Sequence, residues 1–314
     1  MKKYILFFLS AAYFLLKLEV RAQQESIYTQ YMFNRLIVNP AYAGTKGVIS
    51  FTALYRHQWA DFPGAPRTFT ASLHGATSNM RHGLGLSFSN DIHGALRISL
   101  AGINYAFRIP IEENRTYLSL GLQAAGIQYA LESNKLDFRN RADPLLSRAE
   151  ENVLLPDVGT GIFFNTPQFY AGFSVAHLIE NNINILEGGK AKLARHYFLN
   201  AGYDISLDRY HNSIILTPSF LARVATNSPL QLDINLMIML IQKFWAGVSY
   251  RTLKSSDAIS FMVGFYPFKL LRIGYGYDYA LGDLRDYQNG THEIMLSLDF
   301  GNSNRAKVLT PRYF

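Results

Sequence analysis

The sequence predicts an all-β chain: a transmembrane antiparallel β-barrel of about 14 strands, with a short N-terminal plug-like segment and a C-terminal periplasmic tail. Three observations carry that expectation. Apolar residues recur with period two, the alternate positions are small or polar, and tight turns alternate with longer loops. After residue 22 no apolar run approaches the roughly 18 residues of a helical span, the longest being Leu236 to Ile241.

Residues 1–22 read as an export signal. Lys2 and Lys3 precede an apolar run from Tyr4 to Leu16, and Val20-Arg21-Ala22 places small residues at the −3 and −1 positions of a cut after Ala22. The run is too short to anchor the chain as a helix. Removing the signal lowers the formal charge from +7 to +4. The remaining Lys and Arg are scattered, so nucleic acid is not an expected partner. With 49% hydrophobic residues, 17% charged residues and no cysteine, disorder, disulfide frameworks and cysteine-ligated metal sites are excluded.

Residues 23–46 are expected to be a periplasmic leader or a plug inside the lumen. Ile27, Tyr31, Leu36 and Val38 stand among polar residues until Asn39-Pro40 breaks the run. The barrel follows over residues 47–300. Strands are expected near Gly47–Tyr55, Arg67–His74, Gly83–Asn90, Arg97–Ile109, Tyr117–Tyr129, Asp157–Asn165 and Gln168–Ala176. Tyr197–Leu207, Asn212–Val224, Gln231–Met239, Phe244–Arg251, Ala258–Tyr266, Leu271–Tyr279 and Thr291–Phe300 complete the set.

The alternation also assigns faces. Leu271, Ile273, Tyr275, Tyr277 and Tyr279 form one apolar row, opposite Arg272, Gly274, Gly276 and Asp278. Asn104, Arg108, Gln123, Asn200, Asp204, Asp233, Asn235, Arg272, Asp278, Glu293 and Asp299 are the expected lumen residues. Tyr117, Tyr129, Phe169, Tyr203, Phe244, Trp245, Phe265 and Tyr279 are expected in interfacial girdles. A soluble β fold accounts for the alternation but not for the alternating connections. Pro110–Thr116, Thr166–Pro167, Asp208–His211, Leu240–Lys243 and Pro267–Leu270 are tight; Arg56–Pro66, Ala130–Pro156, His177–Ala194 and Ala280–Gly290 are mostly longer.

No motif demands catalysis or a cofactor. Gly83-Leu84-Gly85, Gly159-Thr160-Gly161 and Gly274-Tyr275-Gly276 lack a third glycine and a helix, and read as small residues on one barrel face. His292-Glu293 lacks the second histidine of a zinc-hydrolase helix, and the other histidines are scattered. Ser174 with His93 or His177 is the kind of chance combination that any chain of this size contains. The tail, residues 301–314, ends in Arg312, Tyr313 and Phe314, a composition common at protein contacts.

The segment Tyr31-Met32-Phe33-Asn34-Arg35-Leu36-Ile37-Val38-Asn39-Pro40-Ala41-Tyr42-Ala43-Gly44 resembles the opening signature of the PorP/SprF family. Arg56-His57-Gln58-Trp59, Pro63-Gly64-Ala65-Pro66, Asn90-Asp91-Ile92-His93-Gly94, Gly172-Phe173-Ser174-Val175-Ala176-His177, Ser249-Tyr250-Arg251, His292-Glu293-Ile294 and Thr310-Pro311-Arg312-Tyr313-Phe314 are similar to further family motifs in the same order. The resemblance implies a non-enzymatic outer-membrane barrel of the type IX secretion system without cofactor. It implies as partners outer-membrane lipid, the periplasmic ring, motor and peptidoglycan-linked components, and a secreted adhesin bearing a type B C-terminal domain. In gliding relatives such barrels serve motility. Tyr31, Phe33, Asn39, Pro40, Tyr42, Trp59, Arg312, Tyr313 and Phe314 are the expected partner-contact or plug residues. The competing readings are a plugged channel for hydrophobic small molecules and an outer-membrane enzyme.

Overall fold

A computed structural model describes residues 25–112, 116–132, 152–183, 191–208, 213–226, 228–252, 257–268 and 270–300. Fourteen antiparallel strands form the wall. In chain order they are β1 Ile49–His57, β2 Arg67–Ala76, β3 His82–His93, β4 Leu96–Glu112, β5 Thr116–Leu131, β6 Asn152–Asn165 and β7 Phe169–Ala176. Then come β8 His196–Tyr203, β9 Ile214–Ala225, β10 Gln231–Leu240, β11 Phe244–Thr252, β12 Ala258–Phe268, β13 Leu271–Ala280 and β14 Thr291–Phe300. Each strand pairs with its neighbours in sequence, and β14 pairs with β1 from Ile49↔Phe300 to His57↔His292. That last ladder leaves no edge strand, as a spanning β structure requires.

Alternation along β4 shows how the wall is made. Ala101, Ile103, Tyr105, Phe107 and Ile109 are exposed on the outside, while Gly102, Asn104, Ala106 and Arg108 are buried inside. The outer surface of the other strands is likewise apolar, with Leu84, Leu86, Leu122, Ile162, Leu199, Ile234, Phe261, Val263 and Ile294 exposed. A wall with this polarity is stable only against lipid. No helix among the described residues is long and apolar enough to cross a membrane. Replacing Ile103 by arginine, near the middle of the outer face, is expected to cost about 2–4 kcal/mol in urea unfolding from lipid vesicles. An unchanged midpoint would mean that this face does not meet hydrocarbon.

Both ends of the barrel are distinct. Residues 77–81, 166–168, 241–243 and 270 lie at the end where β1 begins, and residues 58–66, 177–183, 191–195 and 281–290 lie at the other. The alternation has exceptions. The β3–β4 connection at the long-loop end is only Gly94-Ala95, made possible by φ +58 at Gly94. At the short-turn end, β8 stops at Tyr203 because the Asp204 N–H turns to the Gln168 carbonyl; Ile205–Ser206 then pairs again with β9. β6 begins five residues before the expected Asp157, at Asn152, running through Pro156, whose carbonyl accepts from Asn181 on the side away from β5, where β7 pairs only from Thr160 onward, so the absent N–H interrupts no ladder.

The girdle expectation is corrected at three positions. Trp245, Tyr117 and Tyr129 point inward and are buried. Trp245 packs on residues that enter the lumen, Tyr117 lies under the Arg108 guanidinium at 4.3 Å, and Tyr129 packs with Ile127, Ile183 and Leu193. Phe169, Tyr203, Phe244 and Phe265 remain on the outer surface.

Candidate functional site

The interior of the barrel is occupied by its own chain. Residues 27–46 are buried within the lumen except for the half-buried Ile37. They fold as three short 3-10 turns, Tyr31–Phe33, Arg35–Ile37 and Pro40–Tyr42, which compress the chain without needing a sheet partner. Asn39 caps the third turn, its Oδ1 accepting from the Ala41 N–H at 2.9 Å, and Pro40 sits where its lost N–H has no helical partner to lose.

This segment has a direction. At one end the Ser26 hydroxyl bonds Asp91, beside the 94–95 loop. At the other the Gly44 N–H donates to His74 Nδ1 (3.1 Å), and Lys46 Nζ reaches Ser50 Oγ (2.9 Å) and Asp299 Oδ1 (3.1 Å) near the end of β14. The chain therefore passes from the long-loop end to the short-turn end before starting β1. Barrels of this class keep short turns in the periplasm and longer loops outside, so Glu25 lies at the outer mouth.

Two apolar patches and one ionic belt hold the segment. Tyr31, Met32, Phe33 and Val38 pack with Leu54, Phe198, Leu221, Met237, Met262 and Met295, and Phe33 meets Trp245 at 4.5 Å between centroids. Leu36, Ala41 and Tyr42 pack with Ala106 and Phe163; the Tyr42–Phe163 contact is edge-to-face at 5.4 Å. Burying one such side chain contributes roughly 1.5–3 kcal/mol. Wall glycines admit the backbone: a Cβ on Gly83 would lie 2.0 Å from the Ala43 oxygen, and one on Gly121 2.1 Å from the Ala41 nitrogen. Of the alternate glycines of the sequence, Gly83, Gly85, Gly161, Gly274 and Gly276 thus mark where wall and segment touch, whereas Gly159 meets only the wall.

Above these patches lies a belt of three cations and three anions. Arg56 bridges Asp278 (2.7 Å) and Glu293 (3.3 Å), Arg251 bridges Asp233 (2.9 Å) and Asp278 (3.2 Å), and Arg223 pairs with Asp233 (2.8 Å). All six are buried. The belt also binds the segment. Thr29 donates its hydroxyl to Asp278 at 2.7 Å; the N–H groups of Thr29 and Gln30 donate to Glu293 at 2.8 and 2.7 Å; Arg251 donates to the Tyr28 carbonyl at 3.3 Å.

Of the expected site residues, Tyr31, Phe33, Asn39, Pro40 and Tyr42 lie together in the lumen. Asn235 donates to the Tyr31 hydroxyl (2.7 Å), and Asn39 Nδ2 donates to the Ile162 carbonyl (3.0 Å). Trp59 is separate, at the outer mouth, with φ +51 and its N–H on Thr291 Oγ1 at 3.1 Å. Arg312, Tyr313 and Phe314 lie outside the described residues. Ser174 donates to the Val38 carbonyl at 2.6 Å and so belongs to the segment's anchorage. Sequence reading placed Asp233, Asp278 and Glu293 in the lumen but passed over Arg56, Arg223 and Arg251. The parity that places Asp278 inward applies to each of these arginines within its own strand. At the mouth, Glu25, Tyr28, Trp59, Asp91, His177 and His196 help to line a cavity of about 500 Å³.

Residues 20–298 match the family described as Type IX secretion system membrane protein PorP/SprF. The chain belongs to the PorP/SprF family. It is therefore an outer-membrane component of type IX secretion, the assignment that the ordered motifs implied. Curated proteins give no match. Among solved structures, this PorP/SprF barrel is similar to the CymD monoaromatic hydrocarbon channel, at 12% identity and TM-score 0.54, covering 88% of this chain and 94% of that one. The Ralstonia pickettii toluene transporter TbuX is similar at 8% identity and TM-score 0.52, with the same coverages of 88% and 94%. At such identities the likeness is one of fold.

Proposed function

We propose that this PorP/SprF barrel works through protein contacts at its two ends, supporting secretion or surface attachment of adhesins with type B C-terminal domains, and gliding where the cell glides. The observation that carries this reading is the lumen occupied along its length by residues 27–46, which supports a plug rather than an open pore. Residues 1–22 act as a cleaved export signal. The outer loops, with Trp59 among them, meet the adhesin. The tail, with Arg312, Tyr313 and Phe314, meets the periplasmic ring, motor and peptidoglycan-linked components.

A deletion strain is expected to lose surface adhesin while nutrient uptake stays ordinary. Removing residues 307–314 alone is expected to reduce co-purification of envelope partners and export while leaving a folded barrel. Normal export and co-purification from that truncation would reject a docking role for the tail.

One observation favours a second reading, a channel for hydrophobic small molecules. Leu96, Ile98, Leu100, Ile127 and Leu193 give the mouth cavity an apolar side, and the fold is shared with proteins described as a monoaromatic hydrocarbon channel and a toluene transporter. Slower uptake of a small aromatic hydrocarbon in the deletion strain, with adhesin display intact, would support the channel over the secretion reading.

A further inference from the structure

Three side chains remote in sequence meet at the outer mouth. Glu25 comes from the segment entering the lumen, His177 follows β7, and His196 opens β8. One ligand-type atom of each lies within 4.8 Å of the others. Glu25 Oε1 is 3.9 Å from His177 Nε2, too far for a hydrogen bond, and Glu25 Oε2 is buried with no hydrogen-bond partner.

Both rings are oriented through their other nitrogen. His177 Nδ1 meets Asp157 Oδ2 at 3.0 Å, and His196 Nδ1 meets the Ala194 carbonyl oxygen at 3.0 Å. A carboxylate or carbonyl behind Nδ1 fixes the tautomer that presents Nε2 as a metal ligand. The rings stand nearly perpendicular, at 81° with centroids 5.5 Å apart, so they converge without stacking.

The geometry points to a site for a divalent transition cation of the zinc class, held by Glu25, His177 and His196, that latches the entering segment to the β7–β8 connection. Two imidazoles and one carboxylate are a zinc-type donor set. Bonds of about 2.0 Å in a tetrahedral shell need ligand atoms about 3.3 Å apart, so the three must draw in from a spacing of up to 4.8 Å. All three line the mouth cavity, which leaves space for water or an outside ligand at a fourth position.

The test uses the untagged full chain, folded in detergent and stripped with a chelator, titrated with Co²⁺ and then Zn²⁺ alone. One Co²⁺ per barrel is expected, with the intense visible bands of a tetrahedral site that Zn²⁺ abolishes, and Zn²⁺ is expected to raise the unfolding temperature. Glu25→Gln and His196→Gln are each expected to weaken binding by at least about tenfold, and Asp157→Asn by about 10–100-fold. His93→Gln, in the same mouth but outside the cluster, is expected to bind as the parent does. Compact electrophoretic mobility before boiling confirms that each variant has folded; if His196→Gln does not, Glu25→Gln on the entering segment carries the same comparison. Absence of stoichiometric Co²⁺ bands, or parental affinity in the folded Glu25→Gln barrel, would overturn the inference.

Discussion

Asp278→Ala is expected to lower the stability of the barrel by about 3–5 kcal/mol, the range for breaking a buried ion pair from one side. The belt balances Arg56, Arg223 and Arg251 against Asp233, Asp278 and Glu293, and Asp278, like Asp233, touches two of the three arginines. Its loss leaves a surplus positive charge where water cannot reach it. Glu293 at 3.3 Å from Arg56 and Asp233 at 2.9 Å from Arg251 are already committed, so neither can supply the missing charge. Thr29 loses its acceptor as well, which loosens the top of the lumen segment. Urea unfolding in detergent, read by electrophoretic mobility, measures the effect. Glu132→Gln is the control: its partner Arg97 at 2.7 Å is 45% exposed, and a surface pair contributes only about 0–1 kcal/mol. Equal losses in the two variants would show that the belt is not screened from solvent as its burial implies.

The sequence was most legible where one physical rule acts alone. Ile103 and Phe107 face lipid and Asn104 and Arg108 face inward because a strand sends alternate side chains to opposite sides; nothing else competes on β4. The girdle reading of strand-end aromatics misled where a second apolar environment exists. Trp245, Met237, Met239, Met262 and Met295 sit on the inner face because Tyr31, Met32 and Phe33 bring an apolar surface into the lumen to meet them. An aromatic near a strand end therefore reads as girdle or as lumen packing until the segment is in place. The direction of that segment was not legible either, because it rests on contacts such as Thr29 with Asp278 and Lys46 with Asp299, each some 250 positions apart in the chain. The meeting of Glu25, His177 and His196 was hidden for the same reason. Scattered histidines carry no spacing signal when barrel closure, rather than a helix, brings them together.

Gly121→Leu is expected to displace the lumen segment while the wall still closes. The new Cβ would lie 2.1 Å from the Ala41 nitrogen, 2.4 Å from its Cα and 2.6 Å from the Pro40 carbonyl carbon. All three are backbone atoms, so no rotamer change relieves the overlap, unlike the usual overpacked core that adjusts at about 1–3 kcal/mol. The segment has to leave because the alternative is worse. Gly121 pairs with Ala106 on β4 and Gly161 on β6, and moving it would break two ladders to save one short turn. Displacement is read in two ways. The chain contains no cysteine, so Thr45→Cys, at a fully buried position, gives a single thiol that a water-soluble maleimide labels only when the segment is out. In planar bilayers the same barrel is expected to show stable conductance steps that the parent lacks. A Gly121→Leu barrel with compact mobility, an unreactive Thr45→Cys and no conductance would mean that the wall yields instead, and the lumen segment would then be the more rigid of the two bodies.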